Sequence, residues 1–422
     1  MAKNPGGAAE SNPASTHEST YPDGAGGPAG TGGNKSRADP AALRRIAAGV
    51  MELHWRDEHG YTVPHSQTYP WLWLWDSCFH ALIWDALDDE RAVRELTAVF
   101  RRQSRDGFIP HMANFPPESA TGEMWGATGR SAITQPPMYG HALAVLASHG
   151  RDIRALAEPA LRGLQHLFDR RRAPCGLIRC YHPWETGADD SPRFDFGRRP
   201  PYYRLRWDSI HYKLVGALEV RDGEATGSSA FDVCPAGFNA LVAWNARELA
   251  EALGDSRLSA EATTLAQTID ALMWSEEAGT WCDVQPDGSP GSSVQVVDAL
   301  LPALVTADAE RAARVLALTT DPDAFGLPFG PAQVHPAEAS YEEDQYWRGP
   351  AWPCLTYLLW RAAEQRGLVH QTERLAAMLR DGAAASGFAE YWNAATGAGR
   401  GAIPQSWACL AILPSKGSAQ LR

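Results

Sequence analysis

Phe238-Asn-Ala-Leu-Val-Ala-Trp-Asn-Ala-Arg-Glu-Leu-Ala-Glu-Ala-Leu253 sets Leu241, Val242, Ala246, Leu249 and Leu253 on one face, and Gly254 follows. That spacing is the helical period, and a glycine just past the last periodic residue is a helix stop. Similar segments extend in both directions. Asp39-Pro40 is an N-cap followed by proline at the first helical position, and Leu43, Ile46, Val50 and Leu53 continue it with helical spacing. The pattern predicts further helices near 76–88, 90–104, 137–149, 151–172, 206–219, 257–274, 293–305, 308–318, 350–366, 370–385 and 404–412. Strand-like alternation is scarce, with Thr280 to Val284 the best candidate. Successive helices in antiparallel pairs without a sheet predict an all-α fold, an (α/α)6 barrel, from residue 39 to residue 422. Residues 1–38 are rich in Gly, Ala, Pro, Ser and Asn, and such a segment is expected to be disordered, because burial cannot offset its ordering entropy.

The charge balance narrows the function. With 50 Asp and Glu against 38 Lys and Arg, the formal net charge is −12, and no basic cluster stands out. Nucleic acid and anionic membrane are therefore not expected as partners. The seven cysteines are odd in number and lack metal-ligand spacing, so free thiols are expected, with no metal and no cofactor. The N-terminus has no apolar signal-type stretch, and the reading is a cytoplasmic protein whose partner is a small molecule; oligomeric state is not legible.

The 16 tryptophans are unusual, and many stand in loop-like sequence beside Gly, Pro or acids. Flat indoles beside carboxylates and amides suit sugar rings, which present C–H faces and hydroxyl edges. Three long connections, 57–75, 106–136 and 181–205, are expected to build the site. The last contains Tyr181-His-Pro-Trp184-Glu-Thr-Gly187-Ala-Asp189-Asp190-Ser-Pro192. Its prolines and glycine exclude a regular helix and predict a loop that presents Asp189 beside an indole. A carboxyl held against an apolar ring keeps its proton, as a general acid must.

Three further stretches share that composition. Tyr69-Pro-Trp71-Leu-Trp73-Leu-Trp75-Asp76 ends in an acid at an expected helix start, where Asp76 is a candidate cap. Tyr346-Trp347-Arg348-Gly349-Pro350-Ala-Trp352 enters another helix, and Gly387-Phe-Ala-Glu390-Tyr391-Trp392 precedes Thr396-Gly397 and Gln405-Ser-Trp407. Glu390 is the natural partner of Asp189, since two carboxyls can flank one glycosidic bond as acid and base.

These stretches resemble glycoside hydrolase family 63, in its small bacterial branch of mannosylglycerate and glucosylglycerate hydrolases. The similar segments are Trp73 to His80, Gln135-Pro-Pro137, Trp184 to Pro192, Tyr346 to Pro350 and Glu390 to Gly397, in family order from about residue 40 to 415. The resemblance implies an inverting hydrolysis of a small α-glucoside or α-mannoside, with Asp189 as acid and Glu390 as base. It also implies that Tyr69, Trp73, Trp75, Asp76, Gln135, Trp184, Gly187, Tyr346, Trp347, Trp352 and Gln405 bind substrate. Asp190 stands where the family usually has Asn, which puts a second carboxylate beside the acid. The segment from Arg206 to Phe231 is shorter than in the branch and lacks its Arg-Pro-(Ser/Thr) element, with Arg204, Arg206 and Arg221 as candidate replacements. The leaving group is accordingly open between glycerate and a neutral second sugar or cyclitol. Two alternatives stand beside this: an epimerase or isomerase using His80, His111, His141 or His182 as base, and a non-catalytic carbohydrate-binding toroid.

Overall fold

The computed structural model describes residues 39–125, 128–195 and 204–415, with side chains at 204–209 and 415 outside the description. The tail expected at 1–38 lies outside the described residues. Within them run the helices α1 (Pro40–His54), α2 (Leu74–Ala86), α3 (Arg91–Phe100), α4 (Ala120–Trp125), α5 (Tyr139–Ser148) and α6 (Arg154–Arg170). The second half holds α7 (Arg204–Gly216), α8 (Ala236–Leu253), α9 (Ser256–Leu272), α10 (Ala309–Leu318), α11 (Pro353–Gln365) and α12 (Val369–Ser386).

Packing sorts these elements into two rings. The inner ring closes as α2, α5, α8, the 3-10 segment Val297–Leu304, α11, the 3-10 segment Ser406–Ser415, and back to α2. The outer ring alternates with it along the chain as α1, α3, α6, α9, α10 and α12. This is the (α/α)6 barrel. Burial shows why each helix takes its place. Every residue of α2 is buried, the mark of a helix surrounded by protein. In α9 only Leu258, Ala262, Leu265 and Ile269 are buried, a single stripe that leaves the other face to solvent. Asp39 caps α1 as expected, accepting from the Ala41 and Ala42 N–H groups at 3.1 and 3.2 Å.

Several expectations are corrected. The helices expected over 293–305 and 404–412 are 3-10 segments; Pro302 and Pro414 lack the N–H that an α-helix needs. The long connection 106–136 holds α4 and the strand Met112–Ala113, which pairs with Leu72–Trp73. Downstream of α7, Leu218–Arg221 and Glu224–Ser228 form a hairpin, where the charged, half-exposed sequence carries no clean alternation. Thr280–Trp281 is a strand, paired with Trp274–Ser275.

Inner helices approach closely where glycine allows it. A Cβ on Gly140 of α5 would lie 2.5 Å from the Asn245 carbonyl oxygen of α8. Gly140→Ala therefore overpacks a rigid backbone contact, and a loss of about 1–3 kcal/mol is expected. A fall in melting temperature checks it; an unchanged midpoint contradicts this packing.

Candidate active site

The starts of the inner helices gather at one end of the barrel, and a pocket of about 430 Å³ opens among them. It is lined by Pro64, Tyr69, Trp73, Trp75, Asp76, Gln135, Gly187, Asp189, Tyr346, Trp347, Glu390, Gln405 and Trp407. Each of the three long connections contributes to this wall. Asp189 and Glu390, 201 positions apart in sequence, thus share one pocket with eight of the other expected residues besides Gly187.

The loop that carries Asp189 is pinned by three buried arginines. Arg171 from the end of α6 meets the buried Glu185 carboxylate at 3.0 Å, and Glu185 also accepts from the backbone N–H groups of Thr134 and Tyr181. Arg193 reaches Asp283 at 2.9 Å and also bonds Asp298; Asp283 in turn accepts from the Ala236 N–H at the start of α8. Arg348 bonds Asp190 at 3.3 Å and Asp195 at 2.7 Å. Between these anchors, Gly187 takes φ +76°, and a Cβ there would meet the Trp75 ring at 2.7 Å. Only glycine satisfies both demands. The indole beside the acid loop is therefore Trp75.

Trp184, expected in the wall, is not in it. It lies parallel to His211 (centroids 5.6 Å apart, 6° between planes) and packs near His111 and His182, outside the pocket. Trp352 is also displaced: it stacks under Trp347 at 3.6 Å and against Tyr391 at 4.6 Å, so it supports the wall from behind. Trp347 faces the pocket with φ +57°, a conformation that a bulky residue holds only when packing enforces it. Asp76 does not cap α2. The helix starts two residues earlier, and the Gln135 side-chain oxygen accepts from the Trp75 N–H at 3.4 Å. Pro64 and Trp407 were not expected. Trp407 stands two residues after Gln405 and donates its indole N–H to the Glu390 carbonyl at 2.8 Å, whereas nothing in the sequence marks Pro64.

Hydrogen bonds orient the carboxyls. Tyr346 donates to Asp189 at 3.1 Å, and Tyr69 donates to Glu390 at 3.0 Å. The Ala402 N–H donates to the other Glu390 oxygen at 2.9 Å, and the Gln405 amide donates to Asp76 at 3.4 Å. Burial pushes the Asp189 carboxyl up to about 8; the Tyr346 hydrogen bond opposes this, and the charges of Glu390, Asp190 and Asp76 add to it. Asp76 is raised to about 7, first by burial and then by Glu390.

No histidine lines the pocket among the described residues. His80 bonds Ser406 at 2.6 Å, His111 bonds Ser131 at 2.6 Å, and His141 bonds Tyr357 at 2.8 Å and also Glu248. His182 accepts from the Trp184 N–H and reaches the His211 carbonyl. No Lys or Arg lines the pocket among the described residues either. Arg221 lies exposed on the hairpin, and the side chains of Arg204 and Arg206 fall outside the description. One group with metal-type ligands, Asp106, His166 and Glu224, comes together elsewhere from separate chain segments. There Glu224 is already held by His166 at 2.6 Å with Arg171 at 3.7 Å. No helix among the described residues is long and apolar enough to cross a membrane.

A family model described as the mannosylglycerate hydrolase MGH1-like glycoside hydrolase domain matches residues 69–408. The chain belongs to this family of glycoside hydrolases. Among curated relatives, mannosylglycerate hydrolase of Thermus thermophilus is 29% identical over 413 residues, covering 86% of this chain and 99% of the relative. Glucosylglycerate hydrolase of Mycolicibacterium hassiacum is also 29% identical, covering 82% of this chain and 91% of its own. Among solved structures, a family 63 mannosylglycerate hydrolase of Thermus thermophilus in complex with Tris and D-glycerate superposes with a TM-score of 0.75 at 26% identity. That match covers 88% of this chain and 99% of the other. Neutral trehalase of Saccharomyces cerevisiae, at 17% identity and a TM-score of 0.57, shares the fold and covers 90% of this chain and 80% of its own.

Removing the Arg193 guanidinium leaves two buried carboxylates without a counter-charge. Arg193→Met should destabilise the protein by about 3–5 kcal/mol. Denaturant unfolding reads the effect, and a loss below about 1 kcal/mol, the surface-pair range, contradicts the anchoring role.

Proposed function

We propose that the chain is an inverting α-glycosidase of a small α-glucoside or α-mannoside, with Asp189 as general acid and Glu390 as general base. The observation that carries this reading is the pairing in one indole-lined pocket of two carboxyls from distant segments. In such a reaction Asp189 protonates the leaving oxygen while Glu390 takes a proton from the attacking water, on the opposite face of the sugar. The Tyr69 and Ala402 donors steer the lone pairs of Glu390. Trp73, Trp75 and Trp347 give apolar faces to the ring, and Asp76, Gln135 and Gln405 meet its hydroxyls. Behind these, Gly187 and Trp352 keep Trp75 and Trp347 in position, and Trp184 braces the acid loop. The relatives are named for glycosides of glycerate, so glucosylglycerate and mannosylglycerate head the substrates to test, followed by neutral α-glucosides and α-mannosides.

Proton NMR during the first turnovers should detect the anomer opposite to the substrate; first release of the retained anomer would exclude the inverting assignment. Asp189→Asn and Glu390→Gln should each lower kcat by about 10²–10⁴-fold while substrate still binds. An active Asp189→Asn removes Asp189 from the role of acid.

The pH profile follows from the raised carboxyl. Asp189 acts in its protonated form, so kcat/KM should fall as pH rises through about 8. Tyr346→Phe deletes a hydrogen bond that favours the carboxylate, so this limb should move to higher pH. A limb that stays in place, or moves down, contradicts the assignment.

A further inference from the structure

Asp189 belongs to two walls. Besides the substrate pocket it lines a second, smaller cavity, with Asp190, Ser191, Asp195, His211 and Leu214. No other described residue is shared between the two linings. The rear cavity has an apolar side of Pro183, Phe194, Ile210 and Leu214, while its carboxyls, hydroxyl and imidazole supply partners for a single internal water. Beside it, one guanidinium serves two carboxyls. Arg348 holds Asp195 with two bonds of 2.7 and 2.9 Å, whereas both of its bonds to Asp190 are 3.3 Å. One positive charge cannot neutralise two carboxylates. Arg348 is drawn to the partly exposed Asp195, and the deeper, more loosely held Asp190 is left to share a proton. Burial indeed raises Asp190 to about 7, against the pull of Arg348.

We propose that the rear cavity is the route by which Asp189 regains its proton, with Asp190 as the group that hands it over. The proposal rests on Asp189 being the general acid. Each hydrolysis leaves Asp189 without a proton and Glu390 with the one it took from water. The next turnover needs one proton returned to Asp189, with none consumed overall. Product fills the front pocket at that moment, and the rear cavity is the second approach to Asp189 among the described residues. The Asp190 O–H proton passes through a cavity water to the Asp189 carboxylate. Asp190 is then briefly a carboxylate against Arg348, until solvent, which collects the proton shed by Glu390, reloads it. Asp190 does not touch substrate; it acts through Asp189.

The test is Asp190→Asn, assayed on the glycoside that the unmodified enzyme turns over fastest. Asp190 does not touch substrate, so at a pH well below the Asp189 limb near 8 kcat/KM should stay within about twofold while kcat falls about tenfold or more. Acetate or formate buffer, a small acid able to reload Asp189 directly, should restore kcat in proportion to its concentration. Leu214→Phe, which fills the rear cavity and leaves the Arg348 contacts alone, should produce the same selective loss, and it decides the matter if Asp190→Asn does not fold. Unchanged kcat in the folded variants overturns the proposal. So does a parallel fall in kcat and kcat/KM without rescue by the small acid, which would make Asp190 a support for the loop. Failure of the underlying assignment has a different signature: Asp189→Asn would remain active.

Discussion

A carboxyl taken out of water keeps its proton, and much of this structure follows from arranging that for Asp189 without losing the fold. Its neighbours Asp76, Asp190 and Glu390 are carboxyls too, so charge repulsion adds to desolvation. A loop this acidic does not stay folded by hydrophobic burial alone. The compensation comes from the buried Arg171, Arg193 and Arg348: Arg171 and Arg348 pair with carboxylates of the Asp189 loop, and Arg193 ties that loop to Asp283 and Asp298. The loop is thereby held by strong ion pairs, while the Asp189 carboxyl accepts from the Tyr346 hydroxyl and its backbone carbonyl meets the His211 ring.

The same anchors tie the loop to the barrel. Arg171 extends from outer helix α6, Asp283 secures the first N–H of α8, Asp298 lies in the first turn of the inner segment Val297–Leu304, and Arg348 precedes α11. Glu390 is fixed separately, by the ribbon of Tyr391–Trp392 with Gly399–Arg400 and by the Trp407 indole. The two carboxyls are thus carried by different parts of the ring, and their separation is set by the closure of the barrel. Replacing any one lining residue acts locally; disturbing the ring changes the distance between Asp189 and Glu390.

How much of this was legible in the chain depended on the range of the contacts. The amphipathic stripes of outer helices such as α9 appear as a period in sequence, and the fold class followed from their number and from the scarcity of strands. The inner elements α2 and Val297–Leu304 are buried all round, so burial could not set their limits: Pro302 turned one into a 3-10 segment, and α2 begins two residues before Asp76. The motif stretches drew notice to Asp189 and Glu390 among Trp, Gly and Pro, and the structure sets both in one pocket. They did not reveal which indole meets which loop. Trp184 is adjacent to the acid in sequence yet stacks on His211, while Trp75, 112 positions before Gly187, fills the space against it. That choice is made by the ring closing, and it leaves no local signal.

The central claim is that Asp189 is a neutral carboxylic acid at the pH where the enzyme works. Carbon-13 NMR of aspartate side-chain carboxyls, with the Asp189 resonance assigned by comparison with Asp189→Asn, measures this directly. The resonance is expected to stay at the protonated position through neutral pH and to titrate near 8. A resonance already at the carboxylate position at neutral pH, titrating in the ordinary range near 4, would contradict it.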